Sequence, residues 1–536
     1  MIILIYILSA FFAVFYKTKR SLHMLQQNLY NENNRYLKWV RKNSKQFLDF
    51  DLVVLAISLI GVFVIFDLEL ISSLCILVMS AIWVFVGFKW NKVIENDQNK
   101  KKLVVTARIK RLIFTISILY AIPSIILGIY IGNPKMVWIL IFILSLMVYL
   151  NSFIAFLAVL INHPYERGVY YYYLHQAKTK LKSMPNLKVV GITGSYGKTS
   201  SKNILADILN VKYNTLPTPR NLNTPYGLMI TINNHMDKFT EIFIAEMGAY
   251  VRGEIKGLCN FVKPKYGILT RIGTAHLESF GSEENIQKGK FELIESLPSD
   301  GVGVLNRDDP KQVSYELKNN VKILWIGIDE EDVDVRATDI KCNHDGTKFN
   351  VIFKGDKKKY EFQTKLLGKH NVYNILAALA LGREFDISIS DLQQSVKKVK
   401  PVEHRLELKK LSNFFMIDDA YNSNPVGAEN ACKVLGMMPG TKVVVTPGMI
   451  ELGEKENEYN KTFGEQISEV ADYAILIGEK KTKPIKEGLL TKGFDKDRII
   501  VFNDVRDAYP FIEKIATDKD VYALFENDLP DTYNEK

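Results

Sequence analysis

Five long apolar runs occupy most of the first 163 residues of this 536-residue chain. They are Ile2–Tyr16, Leu52–Phe66, Leu70–Phe88, Ile113–Ile131 and Met136–Ile161. A helix needs about 20 residues, and at least about 17, to cross the hydrocarbon core of a bilayer. Lipid-exposed segments must satisfy their own backbone hydrogen bonds, which restricts such runs to helices. The pattern predicts an α-helical membrane domain over residues 1–165 with about five transmembrane helices. For the two short runs that come first, an interfacial or re-entrant helix is the alternative.

Two positively charged segments separate these runs. Lys17–Asp51 carries eight Lys or Arg against three Asp or Glu, and Lys89–Leu112 carries eight against two. Because Lys and Arg are retained on the cytoplasmic side of a membrane, both segments are expected in the cytoplasm. With five crossings the N-terminus is outside and everything after Asn162 is inside. The sequence therefore predicts a multi-pass cell-membrane protein that contacts membrane lipid and carries large cytoplasmic domains.

The charge distribution also excludes some classes of partner. The two basic segments together account for more than the formal net charge of +10, so the rest of the chain is close to neutral. A nucleic-acid-binding face on the large C-terminal part is therefore not expected. The four cysteines are far apart and form no CxxC pair, which argues against a disulfide framework or a zinc site.

A glycine-rich stretch follows the apolar strand predicted at Lys188–Ile192 and precedes the helix predicted at Ser201–Leu209. Backbone N–H groups of such a loop can surround phosphates, a lysine can reach the terminal phosphates, and a hydroxyl can bind Mg²⁺. The sequence therefore predicts an ATP site. Its predicted loop residues are Gly194, Ser195, Gly197, Lys198, Thr199 and Ser200.

The form T-G-S-x-G-K-T-S in this loop resembles that of the Mur ligases, the ATP-dependent amide-forming enzymes of cell-wall synthesis. Further motifs of that family follow in the same order along the chain. They are Asn221–Gly227 (N-x-N-x-x-x-G), Glu246–Ile255, Thr270–Gly281, Lys290, Gly368–Asn374, His404–Glu407 and Asp418–Pro425. The last of these, D-D-x-Y-N-x-N-P, is similar to the motif of the branch that adds D-alanyl-D-alanine to a muramyl tripeptide.

The resemblance implies a role for individual side chains. Four are expected to be catalytic: Lys198, His276, Lys290 and Arg405. Asn374, Arg405 and Asp419 correspond to residues placed around adenine, the γ-phosphate and ribose. Thr199, Glu246, His276 and Lys290 are the expected Mg²⁺ ligands, with Lys290 matching a lysine that family members carbamylate. The expected substrate-binding residues are Asn221, Asn223, Tyr421, Asn422 and Asn424.

The fold class follows as a helical membrane segment followed by two α/β domains. The resemblance implies a central ATP-binding domain of the P-loop type at residues 166–400. After Pro401, strand-like runs alternate with helical stretches, which predicts a C-terminal Rossmann-like domain at 401–536. The implied reaction joins an amino acid or short peptide to a carboxylate through an acyl phosphate, at the expense of ATP.

Two departures from the family bear on the acceptor. The membrane segment stands where members of this branch carry a small domain that holds the UDP part of the substrate. Near the C-terminus the family's K-G-S motif is replaced by Phe525–Asp531. A lipid-linked acceptor is therefore expected, with a soluble UDP-sugar peptide as the alternative. Two other functions remain open: a poly-γ-glutamate or folate-type ligase, and a membrane-anchored sensor that binds ATP without turnover.

Overall fold

The computed structural model of the protein divides the chain into two compact units, Met1–Tyr172 and Tyr173–Lys536. It describes all residues except 29, 31–33, 44–49, 66–67, 96–101, 344, 357, 412, 421–424, 451, 453–454, 517–519 and 528–536. Three of the predicted substrate-binding residues, Tyr421, Asn422 and Asn424, lie outside the described residues.

The N-terminal unit is helical, as its apolar runs predict. Its helices are α1 Ile2–Gln27, α2 Arg35–Lys42, α3 Asp51–Ile60, α4 Glu69–Glu95, α5 Ala107–Ile129, α6 Pro134–Tyr149 and α7 Asn151–Lys182. A π-helical turn, Gly61–Ile65, extends α3, and α7 continues into the second unit. Buried apolar side chains from these helices, among them Trp83 and Trp138, form a core of their own.

The number of helices that can cross a membrane is smaller than the five apolar runs. Within the described residues, α1, α4 and α5 are long and apolar enough, and a fourth span results if α6 and α7 are counted as one. The second run forms only the short apolar helix Asp51–Val64, and the fifth run is broken between α6 and α7, which are bent by 83°. The second and fifth runs are apolar enough to cross, but the helix of the second is too short and that of the fifth is interrupted, which explains why fewer spans are found than predicted.

A buried polar network lies at this bend. The Oδ1 atom of Asn151 accepts hydrogen bonds from Thr18 Oγ1 and from the Tyr120 hydroxyl, each at 3.0 Å, and its Nδ2 donates to Ser21 Oγ at 3.2 Å. Next to Thr18 on α1, Lys17 forms a buried ion pair with Asp51 of α3. The polar side chain at the start of α7 therefore has hydrogen-bond partners inside the bundle, as a polar group in an apolar environment requires.

The first sheet of the second unit has nine strands in the order β2-β3-β1-β4-β5-β6-β7-β8-β9. The strands are β1 Lys188–Thr193, β2 Thr215–Pro217, β3 Ile242–Glu246, β4 Tyr266–Leu269, β5 Val302–Asn306, β6 Lys322–Gly327, β7 Val335–Asn343, β8 Gly346–Phe353 and β9 Tyr360–Thr364. Strands β1 to β7 pair in parallel, and β7, β8 and β9 pair antiparallel. Since β1 lies between β3 and β4, the carboxyl ends of these three strands meet at one edge, where α/β sheets bind ligands.

The second sheet has six strands in the order β10-β11-β15-β12-β13-β14. They are β10 Glu407–Lys410, β11 Phe415–Asp419, β12 Thr441–Thr446, β13 Tyr473–Ile477, β14 Ile499–Phe502 and β15 Val521–Glu526. Only β10 pairs antiparallel, with β11. The predicted fold class is confirmed: a helical region precedes two α/β sheets.

The helices of the second unit cover these sheets. They are α8 Lys198–Leu209, α9 Pro225–Asn234, α10 Glu254–Val262, α11 Leu277–Phe280, α12 Glu283–Glu295, α13 Pro310–Val313, α14 Lys369–Glu384, α15 Ile389–Lys398, α16 Pro425–Gly436, α17 Glu456–Val470, α18 Lys483–Thr491 and α19 Ala508–Ile515. Helices α8 and α14 pack against each other. The small buried residues Ala377, Ala378 and Ala380 of α14 fit this close approach.

Candidate active site

The phosphate loop connects the end of β1 to the start of α8. At Gly194 an added Cβ atom would lie 1.8 Å from Thr270 Oγ1, so only glycine fits there. Gly197 has a φ of +82°, a left-handed conformation that also favours glycine. The hydroxyl of Thr270 donates a hydrogen bond of 2.7 Å to the Tyr196 carbonyl and so fixes the loop against the end of β4. The contact with Thr270 and the left-handed backbone at Gly197 therefore fix the shape of the loop.

Lys198 is the first residue of α8 and lines the cavity above the loop. Its Nζ atom donates to the carbonyls of Gly194 and Ser195, at 2.8 and 3.3 Å. Burial lowers the pKa of Lys198; the negative charge of Glu246 opposes this shift, and the positive charge of Arg405 adds to it. The ammonium group is thus held in the loop, within electrostatic reach of both a carboxylate and a guanidinium.

Glu246 ends β3 and is almost completely buried, with 1% of its surface exposed. Its Oε1 atom accepts from Asn223 Nδ2 at 3.0 Å and from Thr199 Oγ1 at 3.3 Å. Its Oε2 atom accepts from Lys202 Nζ at 2.9 Å. Lys202 also donates to the carbonyl of Arg220, so that it ties the carboxylate to the loop that carries Asn223. These contacts place the Glu246 carboxylate beside the phosphate loop.

His276 lines the same cavity as Glu246. It has a φ of +63° and is the N-cap of the short helix α11. Its ring packs on that of Tyr250, with the ring centroids 4.5 Å apart. The backbone conformation and this ring contact hold the imidazole at the cavity wall.

Lys290 is a buried residue of α12 that does not line the cavity. Its Nζ atom donates to the Ala249 carbonyl at 3.4 Å and lies 5.4 Å from the centre of the Phe280 ring. Burial, together with the positive charge of Lys198, lowers the pKa of Lys290 to about 7, while Glu254 and Glu292 oppose the shift. A large fraction of this amine is therefore neutral, and so nucleophilic, near neutral pH.

Two predicted residues reach the cavity from the second sheet and the turn before it. Arg405 and Asp419 both line it. Asp419 is the last residue of β11 and lies opposite Glu526 of β15. Burial raises the pKa of Asp419 to about 6, against the effects of a hydrogen bond with Glu526 and of the charge of Arg405.

These side chains line one cavity of about 460 Å³. The predicted residues in its lining are Ser195, Gly197, Lys198, Thr199, Ser200, Asn221, Asn223, Glu246, His276, Arg405 and Asp419. Gly194, Lys290 and Asn374 are placed behind the lining rather than in it. Asn374 accepts a hydrogen bond of 2.7 Å from Ser201 Oγ, and thereby joins α14 to the first turn of α8.

Sequence reasoning missed several residues of this region, among them Lys202, His370 and Lys400. Lys202 is fully buried against Glu246, and its signal in the sequence is its place one turn after Lys198 on α8. His370 and Lys400 line the cavity, and burial lowers the pKa of His370 to about 4. His370 belongs to the Gly368–Asn374 motif, whereas no motif marks Lys400.

The oxygen donors of the site suit a hard divalent cation. The Thr199 hydroxyl and the Glu246 carboxylate lie within 3.3 Å of each other. Mg²⁺ is commonly held by one or two such groups, with phosphates and water completing the shell. Among the described residues, no group of three or more His, Cys, Asp or Glu side chains is close enough to hold a metal without such additional ligands.

Comparison with known families decides the class of this protein. The Mur ligase middle domain matches residues 192–382, and the Mur ligase, glutamate ligase domain matches residues 404–525. The chain belongs to the Mur ligase family. It is therefore an ATP-dependent amide-bond ligase, and the two matches fall on the two α/β sheets.

Individual Mur ligases are similar over the same region. The UDP-N-acetylmuramoyl-tripeptide–D-alanyl-D-alanine ligase of Bacillus subtilis (strain 168) is 33% identical over 64% of this chain and 74% of its own length. The Escherichia coli (strain K12) enzyme of the same name is 31% identical over 55% of this chain and 65% of its own length. The MurF ligase of Thermotoga maritima, solved in complex with ADP, has a TM-score of 0.58 at 27% identity, covering 67% of this chain and 80% of that one.

Proposed function

We propose that this Mur ligase joins an amino acid or short peptide to a carboxylate carried on a membrane-linked glycan or glycopeptide of the cell envelope. Its catalytic part acts in the cytoplasm, where ATP is available, and the helical unit holds it at the membrane. The observation that carries this proposal is the convergence of Lys198, Arg405 and Glu246 on a single cavity.

The charges of the cavity suit phosphoryl transfer. Lys198, at the start of α8, and Arg405, in the turn before β10, neutralise charge that develops on the transferred phosphate. The loop Gly194–Gly197 leads into the N-terminus of α8, whose backbone N–H groups favour anions. The similarity to a MurF ligase solved with ADP supports nucleotide binding at this loop.

The reaction consists of two displacements. An oxygen of the acceptor carboxylate attacks the γ-phosphorus of ATP; the bond to the β,γ-bridging oxygen breaks, and ADP leaves with its electrons. The amine nitrogen then attacks the acyl carbon of the acyl phosphate. The carbon–oxygen bond to phosphate breaks, inorganic phosphate leaves, and the nitrogen loses a proton. The protein contributes mostly positioning and charge neutralisation.

Mg²⁺ fits beside the phosphate loop, where Thr199 and Glu246 would hold it, with His276 lining the same cavity. Bound there, it would withdraw charge from the phosphate oxygens. The neutral amine of Lys290 is suited to add CO₂ and become a carbamate anion. In that form the residue would place a negative charge beside the Tyr250–His276 wall.

The remaining predicted contacts belong to substrates. Asp419 is proposed to contact the nucleoside directly. Asn374 is proposed to help to fix the nucleoside by holding α8 in place. Asn221 and Asn223 lie on the side of the cavity next to Glu246 and are proposed to contact the acceptor; Tyr421, Asn422 and Asn424 are proposed to do so from the chain following Asp419.

The membrane-linked acceptor rests on the N-terminal unit. Three to four helices among the described residues are suited to crossing a bilayer, and they precede the catalytic domains. The basic segments attract anionic headgroups, by about 1 kcal/mol per Lys or Arg near the surface.

The proposed chemistry is tested by trapping the acyl phosphate. Membranes containing the full-length protein, ATP, Mg²⁺ and lipid extract are treated with hydroxylamine, which converts an acyl phosphate into a hydroxamate. We expect hydroxamate and ADP in equal amounts, and neither with Lys198→Ala. Lys256→Ala, which removes an exposed lysine from α10, is the matched control. ADP release that persists in Lys198→Ala would contradict the assignment.

The two other readings make different predictions in the same experiment. A sensor without turnover forms no hydroxamate with any acceptor. A folate-type or poly-γ-glutamate ligase forms it with folates or glutamyl peptides and not with lipid extract. The matches to tripeptide–D-alanyl-D-alanine ligases favour an acceptor of the glycopeptide class over both.

A further inference from the structure

We propose that His404 and Asp418 are positioning residues that aim the Arg405 guanidinium into the nucleotide cavity. The inference rests on the proposed role of Arg405 in neutralising phosphate charge. Neither residue lines the cavity, so each acts through the turn that carries the arginine.

The turn has an unusual backbone. Arg405 stands between two non-glycine residues in the left-handed region, His404 with a φ of +58° and Leu406 with a φ of +48°. Its own N–H donates to the Val402 carbonyl at 3.1 Å, which closes the turn. Left-handed backbone is costly for residues with a side chain and persists where surrounding contacts impose it.

Two consecutive aspartates at the end of β11 provide those contacts. Asp418 Oδ2 lies 2.9 Å from His404 Nδ1, so the ring donates to the carboxylate on one side of Arg405. Asp419 Oδ1 accepts from the Leu406 N–H at 3.2 Å on the other side. Arg405 is thus fixed from both sides by the strand that also delivers Asp419 to the cavity.

The bond to His404 is not needed to satisfy Asp418. Lys409 Nζ already donates to the same carboxylate oxygen at 2.6 Å, and the Ala420 N–H donates to its other oxygen at 3.3 Å. The imidazole adds a contact whose structural effect falls on the turn. This favours a role in orienting Arg405 over a role in stabilising β11.

Two substitutions of His404 distinguish the effect of its left-handed backbone conformation from the effect of its hydrogen bond to Asp418. His404→Gly adopts a positive φ without strain but loses the donor. His404→Asn also tolerates this region, and its Nδ2 is attached at the position of the imidazole Nδ1, so it can still donate to Asp418. We expect His404→Gly to lower kcat by about 10- to 100-fold, since small misplacements of positioning groups have effects of that order. His404→Asn should recover most of that loss.

The melting temperature and KM for ATP provide the controls. We expect His404→Gly to leave the melting temperature unchanged or to raise it. The substitution should change kcat more than KM, because Arg405 neutralises charge that develops on the phosphate during the reaction. Asp418→Asn should also lower kcat. An unchanged kcat in His404→Gly, or a kcat loss that His404→Asn does not recover, would overturn the inference.

A double-mutant cycle distinguishes this inference from the proposed function. If His404 acts through Arg405, His404→Gly has no further effect on kcat in an Arg405→Ala background. If it lowers kcat by the same factor in both backgrounds, His404 acts independently and the inference fails. If Arg405→Ala itself keeps full activity, the proposed role of the arginine fails instead.

Discussion

The charge of Lys202 matters for the stability of the fold because it is buried. It and Glu246 each expose only 1% of their side chains and lie 2.9 Å apart. Removing one partner of a buried ion pair costs about 3–5 kcal/mol, because the other charge remains without compensation. We therefore expect Lys202→Met to lower the melting temperature strongly, and Glu246→Gln added to it to restore part of the loss. Equal melting temperatures for Lys202→Met and wild type would contradict the pairing.

Lys290 predicts a pH dependence of stability. Its pKa is about 7 in the folded protein, below the ordinary value of 10.5. Between these values the unfolded state binds more protons than the folded state, so stability rises with pH from about 7 to about 10. We expect the melting temperature of wild type, measured relative to Lys290→Met, to rise across this window. A difference that stays constant, or falls, would show that the amine is not buried as described.

Some of these residues could be predicted and others could not. Lys198, Thr199 and Glu246 were predicted because a glycine loop and strand ends mark the ligand edge of an α/β sheet. Lys202 was missed because a lysine on a helix is ordinarily solvated, and only the sheet reveals that this one faces β3. The place of Asn374 behind α8 likewise depends on packing between elements far apart in sequence.

At the scale of elements, the connection from β1 to α8 depends on one close contact. A methyl group at Gly194 would collide with Thr270 Oγ1, and the loop would have to move away from β4. We expect Gly194→Ala to weaken ADP binding by at least about tenfold, measured by isothermal titration, because a shift of the loop displaces the N-terminus of α8, whose N–H groups favour phosphate. Gly257→Ala is the matched control, because nothing lies within 4 Å of its added Cβ. Equal affinities for the two variants would contradict this account of the loop.

In the helical unit, the apolar pattern predicts the helices but not the break between α6 and α7. The run Met136–Ile161 reads as one continuous span, but the chain bends by 83° between α6 and α7. Hydropathy indicates which residues avoid water, but it does not indicate where a helix axis changes direction. Asn151 lies at the bend, and its hydrogen-bond partners on α1 and α5 cannot be read from a local sequence pattern.

At the scale of the whole molecule, the basic segments constrain which helices cross the membrane. If α3 crosses, both segments lie on the cytoplasmic side; if it does not, the second lies outside, against the usual distribution of Lys and Arg. We therefore propose that α3 crosses despite its length. A cysteine placed at Gly132 should then react with an impermeant reagent from outside intact cells, and one placed at Lys492 should not. Labelling of Lys492→Cys from outside would separate the catalytic domains from ATP.

The most direct test concerns the lipid-borne product. Full-length protein in membranes is incubated with ATP, a panel of amino acids and dipeptides, lipid extract and, separately, a soluble UDP-muramoyl tripeptide. We expect mass spectrometry to detect a lipid-linked species that gains the mass of one amine minus water, only with ATP and not with Lys198→Ala. If ATP-dependent mass gain appears on the soluble UDP-linked peptide alone, the membrane-acceptor account is wrong.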